Sequence, residues 1–244
     1  MSAVPKTAMV LAAGMGTRMR PLTDMMPKPL IKVAGKPLID HMLDRLVAAG
    51  VERAIVNVHN FADQMEAHLA LRHDIEVIIS DERGQLLETG GGARKARPLM
   101  GDEPIFHVNT DSVWIGDGAL EKLAAQYDRA RMGALLMLCT MDACTGLETT
   151  GDFTRAADGR LTHRFDDPNA DLAWMGVQII DPKILDPEPL ESFSFRRVWK
   201  RLQDEGRLYG AMFDGFWLHV GSPPALAEAE ARLAQSAGPR AAHV

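Results

Sequence analysis

The sequence predicts an α/β fold, a Rossmann-like and mostly parallel mixed sheet flanked by helices. Short apolar segments alternate with longer amphipathic segments through the first half of the chain. The apolar segments have strand length, whereas the amphipathic segments repeat their apolar residues at the helical period. Glycine-rich or polar residues follow several of the apolar segments. Strands that alternate with helices favour a parallel sheet, in which ligands bind beyond the carboxyl ends of the strands.

The first half of the chain contains a regular alternation of elements, and crossovers between its parallel strands are expected to be right-handed. Gly50 stops the first helix, and Pro98 marks the end of the third. Strands are predicted at residues 7–12, 54–58, 75–79, 105–108 and 134–139. Helices are predicted at residues 38–47, 62–71, 91–99 and 117–131.

The second half is less regular. Asp158-Gly159 predicts a hairpin turn between two short strands within residues 153–165. Ser222 is a good N-cap, and Pro223 fits the first turn of a helix that continues to residue 233. Further strands are predicted at 174–180 and 207–213, a helix at 195–205, and a loose tail at 236–244. One domain over residues 1–235 is the simplest architecture.

Composition restricts the classes of function. The chain has 244 residues and 46% apolar residues, so it is globular, and its net charge of −6 argues against broad nucleic-acid binding. Apolar runs stay well below the roughly 20 residues needed to span a bilayer, and the N-terminus does not resemble a signal peptide. We therefore expect no membrane partner and a cytoplasmic location. Cys139 and Cys144 form no metal-binding pattern and are expected to be free thiols.

The most informative segment follows the first predicted strand. Residues 11–23 read Leu-Ala-Ala-Gly-Met-Gly-Thr-Arg-Met-Arg-Pro-Leu-Thr, and Pro27-Lys28-Pro29-Leu30 comes soon after. Glycines let the backbone approach a ligand, and arginine and lysine supply charge for phosphate oxygens. The Walker spacing is absent, and the third glycine of a dinucleotide fingerprint would fall at Met19. The segment is therefore expected to bind a polyphosphate in a different kind of loop.

These residues resemble the signature of the sugar-1-phosphate nucleotidyltransferases, which join a nucleoside triphosphate to a sugar 1-phosphate and release pyrophosphate. The resemblance runs from about residue 9 to residue 233. It includes Glu88-Thr89-Gly90-Gly91-Gly92, Asn109-Thr110-Asp111, Gly151-Asp152-Phe153 and Trp217-Leu218-His219-Val220-Gly221. Within the family, the short length and the Glu-Thr-Gly-Gly-Gly run most resemble the uridylyltransferases that act on N-acetylmuramate 1-phosphate in cell-wall recycling. UTP and N-acetylmuramate 1-phosphate are the favoured substrates.

Two other functions remain open from the sequence. One is a mannose-1-phosphate guanylyltransferase or another transferase of the same fold, because the hydrogen bonds that choose the base cannot be placed. The other, ranked lower, is a nucleotide-binding regulator without catalysis. Its main support is His219, which stands where related enzymes usually carry an aspartate. The sequence also leaves open whether the protein is a monomer or a homodimer.

The resemblance implies a role for each motif. Arg18 and Lys28 are the expected catalytic residues, and Asp111 is the expected ligand of Mg²⁺, with Mn²⁺ as an alternative. His219 is a replacement metal ligand, a contact to the sugar phosphate or a spectator, since imidazole suits softer metals. The nucleotide-binding half is expected at about residues 1–115, with contacts from Ala13, Gly14, Gly16, Thr17, Glu82, Gly90 and Asn109. The sugar-binding half is expected at about 116–235, with contacts from Gly151, Asp152, Trp174 and Gly176.

Several further residues keep two interpretations. Ser194 or Arg196 is expected to meet the sugar or its phosphate, and the sequence does not choose between them. Trp114 is either a stacking platform for a sugar or part of the core. The glycines after Thr89 either admit the base and ribose or form a turn before a helix.

Overall fold

A computed structural model describes residues 3–236. The α-helices are α1 (Leu38–Ala48), α2 (Ala62–Leu69), α3 (Glu88–Ala96), α4 (Ala119–Gln126), α5 (Arg196–Asp204) and α6 (Pro223–Ser236). The strands of the first half are β1 (Thr7–Leu11), β2 (Lys32–Val33), β3 (Lys36–Pro37), β4 (Arg53–Val58), β5 (Glu76–Asp81), β6 (Ile105–Asn109) and β7 (Ser112–Ile115). Those that follow are β8 (Ala134–Thr140), β9 (Cys144–Thr145), β10 (Phe153–Arg155), β11 (Leu161–His163), β12 (Leu172–Ile180), β13 (Leu208–Met212) and β14 (Phe216–His219).

The central sheet confirms the predicted α/β class. Strands β5, β4, β1 and β6 lie side by side and are parallel, as the alternation of strands and helices predicts. Beyond β6 the sheet becomes mixed, because β12 pairs antiparallel with β6, β8 and β10. Strand β13 then pairs parallel with β8. The carboxyl ends of β1 and β6 therefore lie next to each other, where the glycine loop and Asp111 begin.

Helices cover both faces of the central sheet. Along β1, Ala8 and Val10 belong to the core packed by α1, α2 and α4, whereas Met9 belongs to the core packed by α3 and α5. Side chains of a strand alternate between the two faces of a sheet. A strand covered on both faces needs apolar residues at every position, which explains the continuous apolar run at the start of the chain.

A small second sheet consists of β7, β14 and β9 and was not predicted. Strand β14 pairs antiparallel with β7, so His219 lies opposite Ser112. Directly beyond this pair, the Val220 N–H donates a hydrogen bond of 2.8 Å to the carbonyl oxygen of Asp111. The second sheet therefore joins a late segment of the chain to the end of β6.

Several predicted boundaries differ from the structure. The helix predicted at 117–131 ends at Gln126, because Tyr127 has an extended backbone and the following residues form a turn in which Met132 N donates to Asp128 O. The helix predicted at 91–99 begins earlier, at Glu88. Ser236 belongs to α6, and the rest of the predicted tail lies outside the described residues. Between residues 3 and 236, no helix is both long and apolar enough to cross a membrane.

Candidate active site

The glycine loop after β1 folds back onto the turn that carries Lys28. Gly16 adopts φ 62°, and its carbonyl oxygen accepts a hydrogen bond of 2.9 Å from Thr23 Oγ1. A Cβ at Gly16 would lie only 2.9 Å from Thr23 Cγ2 and 3.0 Å from Lys28 Cβ. A side chain here would therefore be strained and would push the lysine turn away from the loop.

Lys28 and Asp111 form an ion pair between the ends of two segments that are distant in sequence. Lys28 starts a short 3₁₀ turn between Pro27 and Pro29, and its Nζ lies 3.1 Å from Asp111 Oδ2. Burial alone would raise the pKa of Asp111, but the Lys28 ammonium and the neighbouring cations hold it below its ordinary value. Asp111 is therefore ionised at neutral pH, although only 25% of its side chain is exposed.

Arg18 and His219 converge on the same place. A Cβ at Gly221 would lie 2.6 Å from His219 Nε2 and 3.5 Å from Arg18 Nη1, so the absent side chain of this glycine leaves room for both groups. Burial lowers the pKa of His219, and the charges of Lys28 and Arg18 lower it further against the opposing effect of Asp111. The imidazole is therefore neutral near pH 7, and its buried Nδ1 has no hydrogen-bond partner in residues 3–236.

Three adjoining cavities lie in this region; Arg18, Lys28 and Asp111 line one or two of them, whereas His219 lines none. The cavity of about 370 Å³ beside the carboxyl ends of β1 and β6 is here called the large cavity. The cation cavity, of about 220 Å³, shares Gly14, Lys28 and Asp111 with it. The aromatic cavity, of about 170 Å³, meets the large cavity at Thr89 and Ser194. The Lys28–Asp111 pair therefore lies at the boundary between the first two cavities.

Most of the predicted site residues line one of these cavities. The large cavity is lined by Ala13, Gly14, Lys28, Asn109 and Asp111, and the cation cavity by Gly14, Gly16, Thr17, Arg18, Lys28 and Asp111. Asp152 and Trp174 line the aromatic cavity. Ser194 lines both the large cavity and the aromatic cavity. Of the three cavities, Arg196 lines the aromatic one only. Trp114 is buried in the core and does not line them.

Glu82 does not line any of the three cavities, contrary to the expectation of a base contact. Its side chain is fully buried, and Glu82 Oε1 accepts a hydrogen bond of 2.7 Å from Asn57 Nδ2. Asn57 Oδ1 in turn accepts from the backbone N–H of Ala12, also at 2.7 Å. Glu82 Oε2 accepts from the backbone N–H of Leu87. The carboxylate thus supports the large cavity from beneath and connects the glycine loop to the segment before α3.

Asn57 is a residue that the sequence prediction missed. It lies within the predicted strand at 54–58 and lines the large cavity. The available signal was one amide side chain within an otherwise apolar strand. A buried polar side chain requires hydrogen-bond partners, so its presence in such a strand indicates an internal network.

The glycine run after Thr89 is helical, and its close contacts are with protein. Gly90 is buried, and its N–H donates a hydrogen bond of 2.8 Å to Phe193 O. The Gly90 N–H is therefore already engaged with protein, and the expected contact of Gly90 with the nucleotide stays a prediction. Glu88 and Thr89 line the large cavity instead. Glu88 adopts φ 59°, an unusual value for a residue with a side chain.

Two other predicted glycines also lie outside the cavity walls. Gly176 adopts φ 75° where the register of β12 shifts, and a Cβ there would lie 3.0 Å from Asn109 Cβ. Gly151 adopts φ 149° and packs against the backbone of Ala170. Both glycines allow close packing against neighbouring backbone or side chains, and their contact with a sugar stays a prediction.

The chemical character of the site follows from these contacts. Fixed positive charge, exposed backbone of the glycine loop and one ionised carboxylate adjoin a cavity at the carboxyl ends of parallel strands. Such an arrangement favours polyphosphate binding and the neutralisation of charge during transfer at phosphorus. Fold and site together define an enzyme of nucleotide-dependent group transfer.

Comparison with known proteins identifies the family. The family described as nucleotidyl transferase matches residues 7–145, and the chain belongs to this family. The N-acetylmuramate alpha-1-phosphate uridylyltransferase of Caulobacter vibrioides is 50% identical over 242 residues, which cover 97% of this chain and 100% of that protein. The protein of the same name from Neisseria meningitidis is 35% identical over 229 residues, covering 92% and 96% of the two chains.

The fold is also found in solved structures. The inositol-1-phosphate CTP transferase from T. maritima matches with a TM-score of 0.80 and 20% identity, covering 96% of this chain and 98% of that chain. At this identity the similarity establishes the shared fold. The family and its relatives make the chain a sugar-1-phosphate nucleotidyltransferase.

Proposed function

We propose that this enzyme transfers a uridylyl group from UTP to N-acetylmuramate 1-phosphate and releases pyrophosphate. The names of the two similar relatives support this choice of substrates. The observation that carries the proposal is the Lys28–Asp111 pair, with its 3.1 Å separation, at the boundary of the large cavity and the cation cavity. A triphosphate that extends from one cavity into the other would place its α-phosphate at this pair.

The reaction requires positioning rather than a strong base. The attacking oxygen belongs to a phosphate that is already anionic at neutral pH. It forms a bond to the α-phosphorus while the bond from that phosphorus to the bridging oxygen breaks, and pyrophosphate leaves with that electron pair. Lys28 is placed to hold oxygens of the reacting phosphates, and Arg18 to bind the departing pyrophosphate. Both cations reduce charge repulsion between the reactants in the transition state.

A divalent ion fits the carboxylate of Asp111. Residues 3–236 contain no cluster of three or more His, Cys, Asp and Glu side chains arranged for metal binding. A site with one or two protein ligands, completed by water and phosphate oxygens, is typical of Mg²⁺. The bound ion would supply positive charge to the reacting phosphates. We propose Asp111 as its ligand and His219 as a second ligand if Mn²⁺ is used.

We assign each part of the two substrates to one of the three cavities. The large cavity would hold the base and ribose, the cation cavity the triphosphate, and the aromatic cavity the sugar. Residues of about 1–115 would contribute most nucleotide contacts, and those of about 116–235 most sugar contacts. Ser194 and Thr89, which line both the large and the aromatic cavities, support a substrate path that crosses this division.

Pyrophosphate release tests the substrates. The protein is assayed with UTP, GTP, CTP and dTTP, each combined with N-acetylmuramate 1-phosphate or mannose 1-phosphate, in Mg²⁺ and in Mn²⁺. We expect the highest kcat/KM with UTP and N-acetylmuramate 1-phosphate. Preference for GTP with mannose 1-phosphate would support the guanylyltransferase instead. Nucleotide binding without turnover in any combination would support a regulator.

Lys28→Ala tests the chemical assignment. Removing the ammonium eliminates a charged contact to the reacting phosphates, so we expect kcat/KM to fall by about 100-fold or more. Lys36→Ala is the matched control, since Lys36 is exposed and pairs with Asp44 on the surface. Full activity of Lys28→Ala would remove this residue from the mechanism.

A further inference from the structure

The aromatic cavity has walls suited to a pyranose ring. Trp174 and Trp199 meet edge to face, with ring centroids 4.7 Å apart, and Phe195 lies 5.9 Å from Trp199. Trp174 Nε1 donates to Val177 O, and Trp199 Nε1 donates to Gln178 Oε1. These hydrogen bonds fix the indoles, and the half-buried Trp174 offers apolar surface to the C–H groups of a sugar, with the buried Trp199 behind it.

Arg196 is a cation at this cavity without a carboxylate partner in residues 3–236. Its guanidinium lies 5.5 Å from the ring of Phe165, a side chain that is 70% exposed. Two other arginines in this region have polar partners. Arg197 pairs with Glu191 at 2.8 Å, and Arg164 lies 3.9 Å from Asp152 and donates to Gly151 O.

The charge around the cavity favours an anion at Arg196. Asp152 is the carboxylate that lines the cavity, and Arg164 beside it supplies a compensating charge. Burial and the nearby Arg196 guanidinium lower the pKa of His163, so this histidine is neutral near pH 7 and adds no charge. Asp166 also lies near His163, but it pairs with Lys200 at 3.7 Å and accepts a hydrogen bond of 2.8 Å from Gln203 Nε2. Within residues 3–236 Arg196 therefore has no carboxylate at ion-pair distance, and its position at the first residue of α5 adds the favourable potential of a helix N-terminus.

N-acetylmuramate carries an anionic group of the kind that this site would bind. It differs from N-acetylglucosamine by a lactyl ether on O3, which ends in a carboxylate. A guanidinium binds a carboxylate through two parallel hydrogen bonds. We propose that Arg196 recognises the lactyl carboxylate and thereby selects N-acetylmuramate 1-phosphate over N-acetylglucosamine 1-phosphate. This inference rests on the proposed function of the site.

The test compares the kcat/KM values of two sugar phosphates that differ in the lactyl group. Steady-state kinetics with UTP give kcat/KM for N-acetylmuramate 1-phosphate and for N-acetylglucosamine 1-phosphate. For Arg196→Gln we expect a loss of about 10- to 100-fold with the first sugar, mostly in KM, and a change within about twofold with the second. Arg196→Lys retains the charge without the planar fork and should recover part of the preference.

Lys200→Gln is the control, because it removes the same charge one turn further along α5, where Lys200 pairs with Asp204 on the surface. It should leave the ratio of the two kcat/KM values unchanged. Equal losses for both sugars in Arg196→Gln, or an unchanged ratio, would overturn the carboxylate assignment while the proposed function stands. If the unaltered protein turns over neither sugar with UTP, the proposed function itself fails.

Discussion

The pH dependence of stability offers a sharp test of the interior beneath the site. His107 lies in β6 with no exposed surface, and burial lowers its pKa to about 3. Its Nδ1 accepts a hydrogen bond of 2.8 Å from Gln178 Nε2. Gln178 is held in this orientation because its Oε1 accepts from Trp199 Nε1. Protonation of His107 at Nδ1 would therefore place two donors against each other inside the core.

The sign and size of the effect follow from linkage. In the unfolded chain a histidine has a pKa of about 6.5, so it binds a proton at mildly acidic pH while folded His107 does not. Stability should therefore decrease as the pH falls from about 6.5 towards 3. At pH 5 the contribution of this histidine amounts to a loss of about 2 kcal/mol relative to pH 8.

Urea unfolding of the protein and of His107→Leu at pH 8 and pH 5 measures this contribution. The variant is expected to be less stable at both values, because Gln178 loses its acceptor, but its loss between the two should be about 2 kcal/mol smaller. Burial also lowers the pKa of His41 and His163, and these residues affect both proteins equally. An equal loss in both proteins would refute the assignment of a neutral, buried His107.

Three further substitutions test the support of the large cavity. Glu82→Gln places an NH2 group against one of the two buried donors, Asn57 Nδ2 or the Leu87 N–H, and should lower the free energy of unfolding by about 2–3 kcal/mol, with a higher KM for the nucleotide. Urea unfolding and kinetics measure these two effects, and an unchanged stability would contradict the network. Gly91→Ala should lower the free energy of unfolding by about 1–3 kcal/mol, because the added Cβ would overlap the carbonyl oxygen of Glu191. In the control Gly84→Ala the Cβ meets nothing within 4 Å, so the free energy of unfolding should change by no more than about 0.5 kcal/mol. Glu88→Gly should raise the stability by about 1 kcal/mol through relief of its positive φ, and a lower melting temperature in thermal unfolding would exclude this strain.

The sequence predicted correctly those helices and strands whose formation depends on the pattern of neighbouring residues. The helix at α1 and the buried strand β1 follow from apolar periodicity and from a clear stop at Gly50. The site followed from a general property of parallel sheets, because Lys28 and Asp111 belong to segments that come after neighbouring strands. The prolines around Lys28 also limited where that side chain lies.

The elements that the sequence did not predict form by pairing between segments that are distant in the chain. Strands β7, β9 and β14 contain four, two and four residues, and they form only because they pair with one another across the chain. The glycines after Thr89 permit close approach, but their sequence does not say whether a ligand or the neighbouring backbone of Glu191 and Phe193 approaches them. Arg196 likewise became distinct from Arg197 only when their surroundings were known.

The interleaved order of the strands has a consequence for the newly made chain. Strand β8 finds both of its neighbours, β12 and β13, in residues synthesised later, and β6 keeps an open edge until β12 arrives. The Val220 N–H, which donates a hydrogen bond to the carbonyl oxygen of Asp111, is synthesised later still. A nascent chain that ends at residue 145 therefore has the glycine loop but lacks strands β12 and β13 and the segment around Val220. We therefore expect the active site to form only after the residues up to Val220 have been synthesised.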